Sequence, residues 1–376
     1  MKRFAFLLVI TSFFISCSAD SDVEGIKNDG YKSFIESSEY IALFGDIQYY
    51  TNSKYYNLYQ HSCEWILTQK NEGMNINCVV HTGDCTQSNT GGNWEYFYNP
   101  TMKLANEIPF FSLIGDHDYT WDSSGRINDR YDTHFNEYVQ FPLSTQKVVG
   151  QFEEGRMENI IVENHIHGVP VYLLILEFGP RKEVVEWADH YVKTHPDINF
   201  IMMTHEYLEM GGGRRTQKLK SQTRLRNTTY LVPDELWNQL VKCNNNIICV
   251  FCGHVGGLYA LTVETNDYGR KIPQIQHNIQ SSAYRYDNWL MLWEFPLYSD
   301  SVNVSIKNTK TNEYFDDNPV LFKFRYKYID QPTPVTRISY NQGEYVSAYD
   351  LNGRKRQNIH EISGITVKNR KKTILH

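Results

Sequence analysis

The chain lacks a hydrophobic run long enough to cross a bilayer as a helix. Its opening run, Phe4 to Ile15, is twelve residues, where about 20 are needed. It also lacks an excess of one charge. Lys and Arg number 37 against 43 Asp and Glu, a formal net charge of -6. With no basic stripe along the chain, neither specific nucleic-acid binding nor a nuclease is indicated. Cysteine is sparse: beyond Cys17 there are Cys63, Cys78, Cys85, Cys243, Cys249 and Cys252. An even count permits disulfides in an exported protein without showing any. Cys249 and Cys252 have the spacing of a zinc or redox pair, but they sit with the apolar run Ile247 to Phe251, where residues three apart face opposite sides of a strand. They read as core thiols.

What is present is enough to fold. A chain of 376 residues, 41% hydrophobic, buries a full core as one large domain with appendages or as two. Lys2-Arg3, the apolar run and Ser16-Cys17-Ser18-Ala19 form a short export signal, residues 1–17. Phe14-Ile15-Ser16-Cys17 resembles a bacterial lipobox. The expectation is a protein lipidated at Cys17 and held to the membrane in the cell envelope, with an ordinary cleaved signal as the plainer reading.

Short apolar runs recur at Tyr40 to Phe44, Cys78 to Val80, Pro109 to Ile114, Val169 to Leu176, Phe200 to Met203 and Ile247 to Phe251. Runs apolar at nearly every position suit strands buried on both faces. Between them, Lys54 to Lys70 reads as a helix stopped at Gly73, and Arg181 to Thr194 as a helix with Val184, Val185, Ala188, Tyr191 and Val192 on one face. Pro233, followed by Asp234 and Glu235, marks a further helix start. This is an α/β pattern. Gly211 to Thr229 is Gly-rich and then basic, with Arg214, Arg215, Lys218, Lys220, Arg224 and Arg226; it reads as a solvated loop, or as a lid that brings cations over an anionic substrate.

Chemistry enters at the ends of these runs. Gly45-Asp46, Gly83-Asp84 and Gly115-Asp116 each follow an apolar stretch, and two more strand ends deliver His205 and His254. Any one of these alone is a turn or a core histidine. Together they converge, because α/β sheets bind ligands beyond the carboxyl ends of their strands. Oxygen and imidazole donors without thiolates favour Mn, Fe, Zn or Mg over a structural zinc site. Asn278 and Gln280, after a further alternating stretch, are possible site-lining residues, with strand-edge hydrogen bonding as the equal alternative.

The blocks Asp46-Ile47-Gln48, Gly83-Asp84, Gly115-Asp116-His117-Asp118, Thr204-His205 and Gly253-His254-Val255-Gly256 resemble, in order and spacing, the calcineurin-like metallophosphoesterases, in a bacterial branch with Gln in the first block. The resemblance implies a four-layer αββα sandwich of two mixed β-sheets flanked by helices over 38–330. It implies one metal held by Asp84, Asp116, His205 and His254, and a second, weaker position at Asp46, Asp84 and the carbonyl oxygen of Gln48, since Gln48 and Gly256 replace two family imidazoles. The implied activity is hydrolysis of a phosphate mono- or diester by a metal-bound hydroxide. His117 would serve as proton donor, with Asp118 fixing the orientation and tautomer of its ring. Asp at 116, where the family has Asn, adds negative charge and favours singly charged diesters. The competing reading is a surface lipoprotein that keeps the fold and binds a ligand without catalysis. Residues 331–376 open with the Pro-containing linker Gln331-Pro332-Thr333-Pro334 and continue as a small β-rich appendage. Segments Val346 to Lys355 and Ser363 to Lys372 resemble the sorting domain of type IX secretion in Bacteroidota, with a purely structural β-hairpin appendage as the equal alternative.

Overall fold

The computed structural model describes residues 38–216, 225–226, 229–281 and 283–327, with four short strands between 347 and 375. Cys17 and its flanking segment lie outside the described residues, as do Lys218, Lys220 and Arg224 of the basic loop and much of 331–376.

The strands are β1 (Glu39–Phe44), β2 (Asn75–His81), β3 (Phe110–Ser112), β4 (Val148–Gln151), β5 (Ile160–Val162), β6 (His165–Ile166) and β7 (Val169–Ile175). They continue with β8 (Asn199–Met203), β9 (Ile247–Cys252), β10 (Tyr259–Thr265), β11 (Lys271–His277), β12 (Trp289–Phe295), β13 (Ser301–Asn308) and β14 (Phe322–Arg325). One sheet has the order β14-β13-β12-β1-β2-β3. Its first three strands in sequence are parallel, and β12, β13 and β14 extend it as an antiparallel meander. The other has the order β10-β11-β9-β8-β7-β5-β4, with β6 paired to β7; β7, β8, β9 and β11 run parallel. Both sheets are therefore mixed.

Alternation of side chains along the strands builds the layers. Leu173, Ile175, Ile201, Met203, Cys249 and Phe251 point toward the first sheet and share its core. Their neighbours Leu174, Phe200, Met202, Val250 and Cys252 point the other way, under α-helical cover. Trp293 of β12 spans the two sheets, its ring 5.4 Å from Phe251 and 5.1 Å from Phe324. Helices α1 (Tyr56–Asn71) and α2 (Gly91–Ala105) cover the first sheet, and α3 (Lys182–Thr194) and α4 (Pro233–Leu236) the second. The result is a four-layer α/β sandwich, as expected. The α3 face carries Val184, Val185, Ala188 and Val192, and Gly73, at φ 104°, ends the turn after α1. Cys249 and Cys252 are buried thiols on opposite faces of β9.

Among the described residues no helix is long and apolar enough to cross a membrane. In the appendage, Ser347–Tyr349, Lys355–Arg356, Gly364–Lys368 and Lys371–Leu375 form an antiparallel four-stranded sheet.

Candidate metal centre

Every candidate ligand follows the carboxyl end of a strand: Asp46 after β1, Asp84 after β2, Asp116 after β3, His205 after β8 and His254 after β9. The first sheet supplies the carboxylates and the second the imidazoles. Glycine precedes four of the five, with Thr204 before His205, because at those four positions the backbone passes close to a neighbour. A Cβ on Gly115 would collide with the Asp84 carboxylate, and one on Gly253 with that of Asp46. The chain also bends sharply to present two of the ligands: Asp84 has φ 57° and His254 φ 73°. Left-handed backbone at such residues costs on the order of 1–3 kcal/mol each and persists where its surroundings enforce it.

Donor atoms of Asp84, Asp116, His205 and His254 all lie within 4.8 Å of one another. His205 Nε2 is 3.3 Å from Asp84 Oδ1 and 3.6 Å from Asp116 Oδ1, while His254 Nδ1 is 3.3 Å from Asp116 Oδ1. The outer nitrogens fix the tautomers. His205 Nδ1 donates to the Thr82 carbonyl at 2.8 Å, leaving the Nε2 lone pair for the cluster. His254 Nε2 faces Glu206 Oε1 at 3.5 Å, leaving Nδ1. Imidazole ligands of metals are normally tied in this way to a carbonyl or carboxylate. Two carboxylates and two imidazoles of fixed orientation suit one divalent cation.

The charges agree. Burial opposes ionisation of Asp84 and Asp116, but the adjacent histidines override it and hold both carboxyls below their usual range. Burial likewise opposes protonation of His205, yet Asp84 and Asp46 raise its pKa well above the ordinary imidazole value. Without a cation the protons stand in for one.

Around Asp46 the arrangement differs. Its Oδ1 accepts from Thr82 Oγ1 at 2.6 Å. Its Oδ2 accepts from the His254 amide at 2.8 Å, Asn278 Nδ2 at 3.2 Å and Gln280 Nε2 at 2.8 Å. Gln280 Nε2 also reaches Asp84 Oδ2 at 3.0 Å. Gln48 was expected to offer its carbonyl oxygen; instead its Nε2 donates to Asp84 Oδ2 at 2.8 Å, and its Oε1 is buried without a hydrogen-bond partner. An amide oxygen would be repelled by the carboxylates, so the N–H side turns inward. These residues do not fit a second cation.

His117 stands beside the cluster, its backbone N–H 3.1 Å from Asp84 Oδ1. Burial lowers its pKa, but Asp84 and Asp116 raise it further, for a net upward shift. The role expected of Asp118 is corrected. The ring is fixed by Gln87, whose carbonyl accepts from Nδ1 at 2.8 Å. The Asp118 carboxylate instead accepts from the backbone N–H groups of Gly115 at 2.9 Å, Cys85 at 3.2 Å and Thr86 at 2.9 Å. Asp118 thus clamps the two ligand-bearing loops together, because at three residues past Gly115 it closes its own turn first.

Glu206, 1% exposed, escaped the sequence reading, although it directly follows His205. It also lies 3.4 Å from Arg215 Nη1, so the basic loop reaches the back of the cluster. Glu177, after β7, is another buried strand-end acid, but it belongs elsewhere: Arg181 Nε lies 2.9 Å away and Arg130 Nη1 3.6 Å.

The fold and the cluster are together those of a metal-binding α/β sandwich. The family model for the calcineurin-like phosphoesterases matches residues 40–259, more than half of the chain, and the protein belongs to that family. It is 24% identical over 287 residues to the uncharacterized protein YvnB of Bacillus subtilis (strain 168), which covers 72% of this chain and 20% of that one. The chain thus spans about a fifth of that relative's length. Among solved structures it is similar to a 5'-nucleotidase of Candida albicans, at 12% identity and TM-score 0.36 over 75% of this chain and 52% of that one. It is also similar to the sulfate thiohydrolase SoxB of Thermus thermophilus, at 9% identity and TM-score 0.37 over 74% and 58%. Likeness at this level carries no argument about substrate.

Proposed function

We propose that the protein is a phosphoric ester hydrolase working with a divalent ion at Asp84, Asp116, His205 and His254, and that it prefers singly charged diesters to monoesters. The observation that carries the reading is the convergence of those four donors beside His117. A divalent ion bound there supplies Lewis acidity and a water of lowered pKa. The chain's own groups do the rest. Asp84 and Asp116 fix the ion with His205 and His254, whose rings Thr82 and Glu206 hold from behind. His117, with Nδ1 given to Gln87, keeps Nε2 for proton delivery. As the ester P–O bond breaks, the leaving oxygen takes that proton.

Charge supports the diester. Asp84 and Asp116 stay ionised, so together they balance one divalent ion and leave no net positive charge for a phosphate dianion. Retention of an oriented His117 favours catalysis over a purely binding role, which has no use for a proton donor. The test is manganese-dependent hydrolysis of nitrophenyl phosphate mono- and diesters, beside Asp84→Ala and His117→Ala. Loss of activity in both variants with the diester turned over faster is expected, and activity undiminished in Asp84→Ala refutes it. An Asp116→Asn variant is expected to move the ratio toward the monoester. The leader segment supports an envelope location through lipidation of Cys17, expected as palmitate incorporation that Cys17→Ala abolishes.

A further inference from the structure

We infer that the position between Asp46 and Asp84 is filled by the protein itself: amide hydrogens of Gln48, Asn278 and Gln280 stand where a second cation would, Gln280 keeps that cation out, and the chain holds one divalent ion. The inference rests on the proposed role of the Asp84, Asp116, His205 and His254 cluster as the first position.

Gln280 Nε2 is the centre of the arrangement. It lies 2.8 Å from Asp46 Oδ2 and 3.0 Å from Asp84 Oδ2, bridging the same two carboxylates a cation would bridge. Asn278 Nδ2 supports it from Asp46 at 3.2 Å and Gln48 Nε2 from Asp84 at 2.8 Å. With the His254 amide at 2.8 Å, Asp46 Oδ2 accepts from three donors, and an ionised carboxylate has about four acceptor sites over both oxygens. Thr82 Oγ1 takes the other oxygen at 2.6 Å. Asp46 is saturated by the protein.

The plug is held in place. The Gln280 backbone N–H donates to Asn278 Oδ1 at 2.6 Å, and its carbonyl accepts from Arg285 Nε at 2.8 Å. The Arg285 guanidinium in turn lies over the Tyr49 ring at 3.7 Å, next to Gln48. Crowding does not explain the lack of an imidazole at 256, because a Cβ on Gly256 would meet nothing nearer than Ser281 Cβ at 3.9 Å. Entry of a second ion requires the Gln48, Asn278 and Gln280 amides to turn and to surrender four hydrogen bonds to carboxylates.

The full-length protein, stripped of metal, reloaded with excess manganese and desalted, is measured by elemental analysis and electron paramagnetic resonance. One manganese per chain with the six-line spectrum of an isolated ion is expected. Gln280→Glu, which puts a carboxylate where the amide stood, is expected to take two ions, whose spacing of about 3.5–4 Å in paired sites couples their spins and removes the six-line signal. Circular dichroism checks its fold, and Gln280→Ala is the second variant, expected to bind a second ion at least tenfold more tightly than the wild type. Two coupled ions in the wild type overturn this inference and leave the proposed function standing. No ion in the wild type overturns both. One ion in the wild type and in both folded variants overturns the part given to Gln280.

Discussion

Glu206 stands behind His254, and its removal measures how much the orientation of that ring contributes to metal affinity. The Glu206 carboxylate is 1% exposed and 3.5 Å from His254 Nε2. Replacement by Ala leaves Nε2–H without that acceptor and Arg215 without its buried partner. Loss of such a supporting group costs about 10–100-fold in metal affinity, or about 1.4–2.7 kcal/mol. The distance of 3.5 Å is long for a hydrogen bond, which places the expectation toward the lower end. Glu206→Gln keeps an oxygen acceptor and loses the charge, so its affinity should fall between wild type and Glu206→Ala. The assay is manganese or zinc affinity by chelator competition at fixed pH. Affinities of both folded variants within threefold of the wild type would refute the orienting role.

Three further outcomes are expected. Burial, with Asp84 adding its charge, pushes the Asp118 carboxyl up to about 7, and burial does the same to Asp46. Each folded-state value exceeds the unfolded one, so the stability these groups contribute to the metal-free protein is lost as pH rises from about 4 to 7. His205 and His254, also raised, act in the same sense, and theirs are the protons an ion in the cluster displaces. Melting curves with and without manganese should therefore show a larger metal-induced gain at pH 8 than at pH 5.5, and a larger gain at the lower pH would reverse the sign. Glu177→Ala leaves Arg130 and Arg181 without their shared carboxylate and should cost about 3–5 kcal/mol in urea denaturation; a loss below 1 kcal/mol counts against a buried network. Trp293→Ala opens a cavity between the sheets at a fully buried ring, for about 3–5 kcal/mol by the same measurement, and a cost near zero would mean that the two sheets do not pack through this ring.

The strands that carry ligands were legible because they are buried on both faces, so their apolar runs are nearly unbroken and end at Gly-Asp or at His. The meander β12, β13 and β14 was not, although Trp289–Phe295 is strongly apolar. It follows the ligand-bearing blocks and bears no chemistry to draw the eye. Helix α2 was hidden by Gly91 and Gly92 at its start and Pro100 inside it, signals that ordinarily argue against a helix. Within the site, residue types and spacing gave the cluster but not the direction of the amides, since a glutamine reads equally as oxygen donor or N–H donor until its neighbours are known. Asp118 was misjudged for a related reason. Adjacency to His117 suggested contact, whereas the tight turn of 116–118 directs the carboxylate back to its own backbone.

The division of labour between the sheets has a mechanical side. Asp84 and Asp116 belong to one sheet and His205 and His254 to the other, so an ion held by all four is a rivet across the seam between two slabs. Each slab on its own presents only half of a coordination shell. Chelation should therefore loosen the seam at this rim first, with amide exchange quickening at the ends of β3 and β8 while Trp293 keeps the slabs together through the middle.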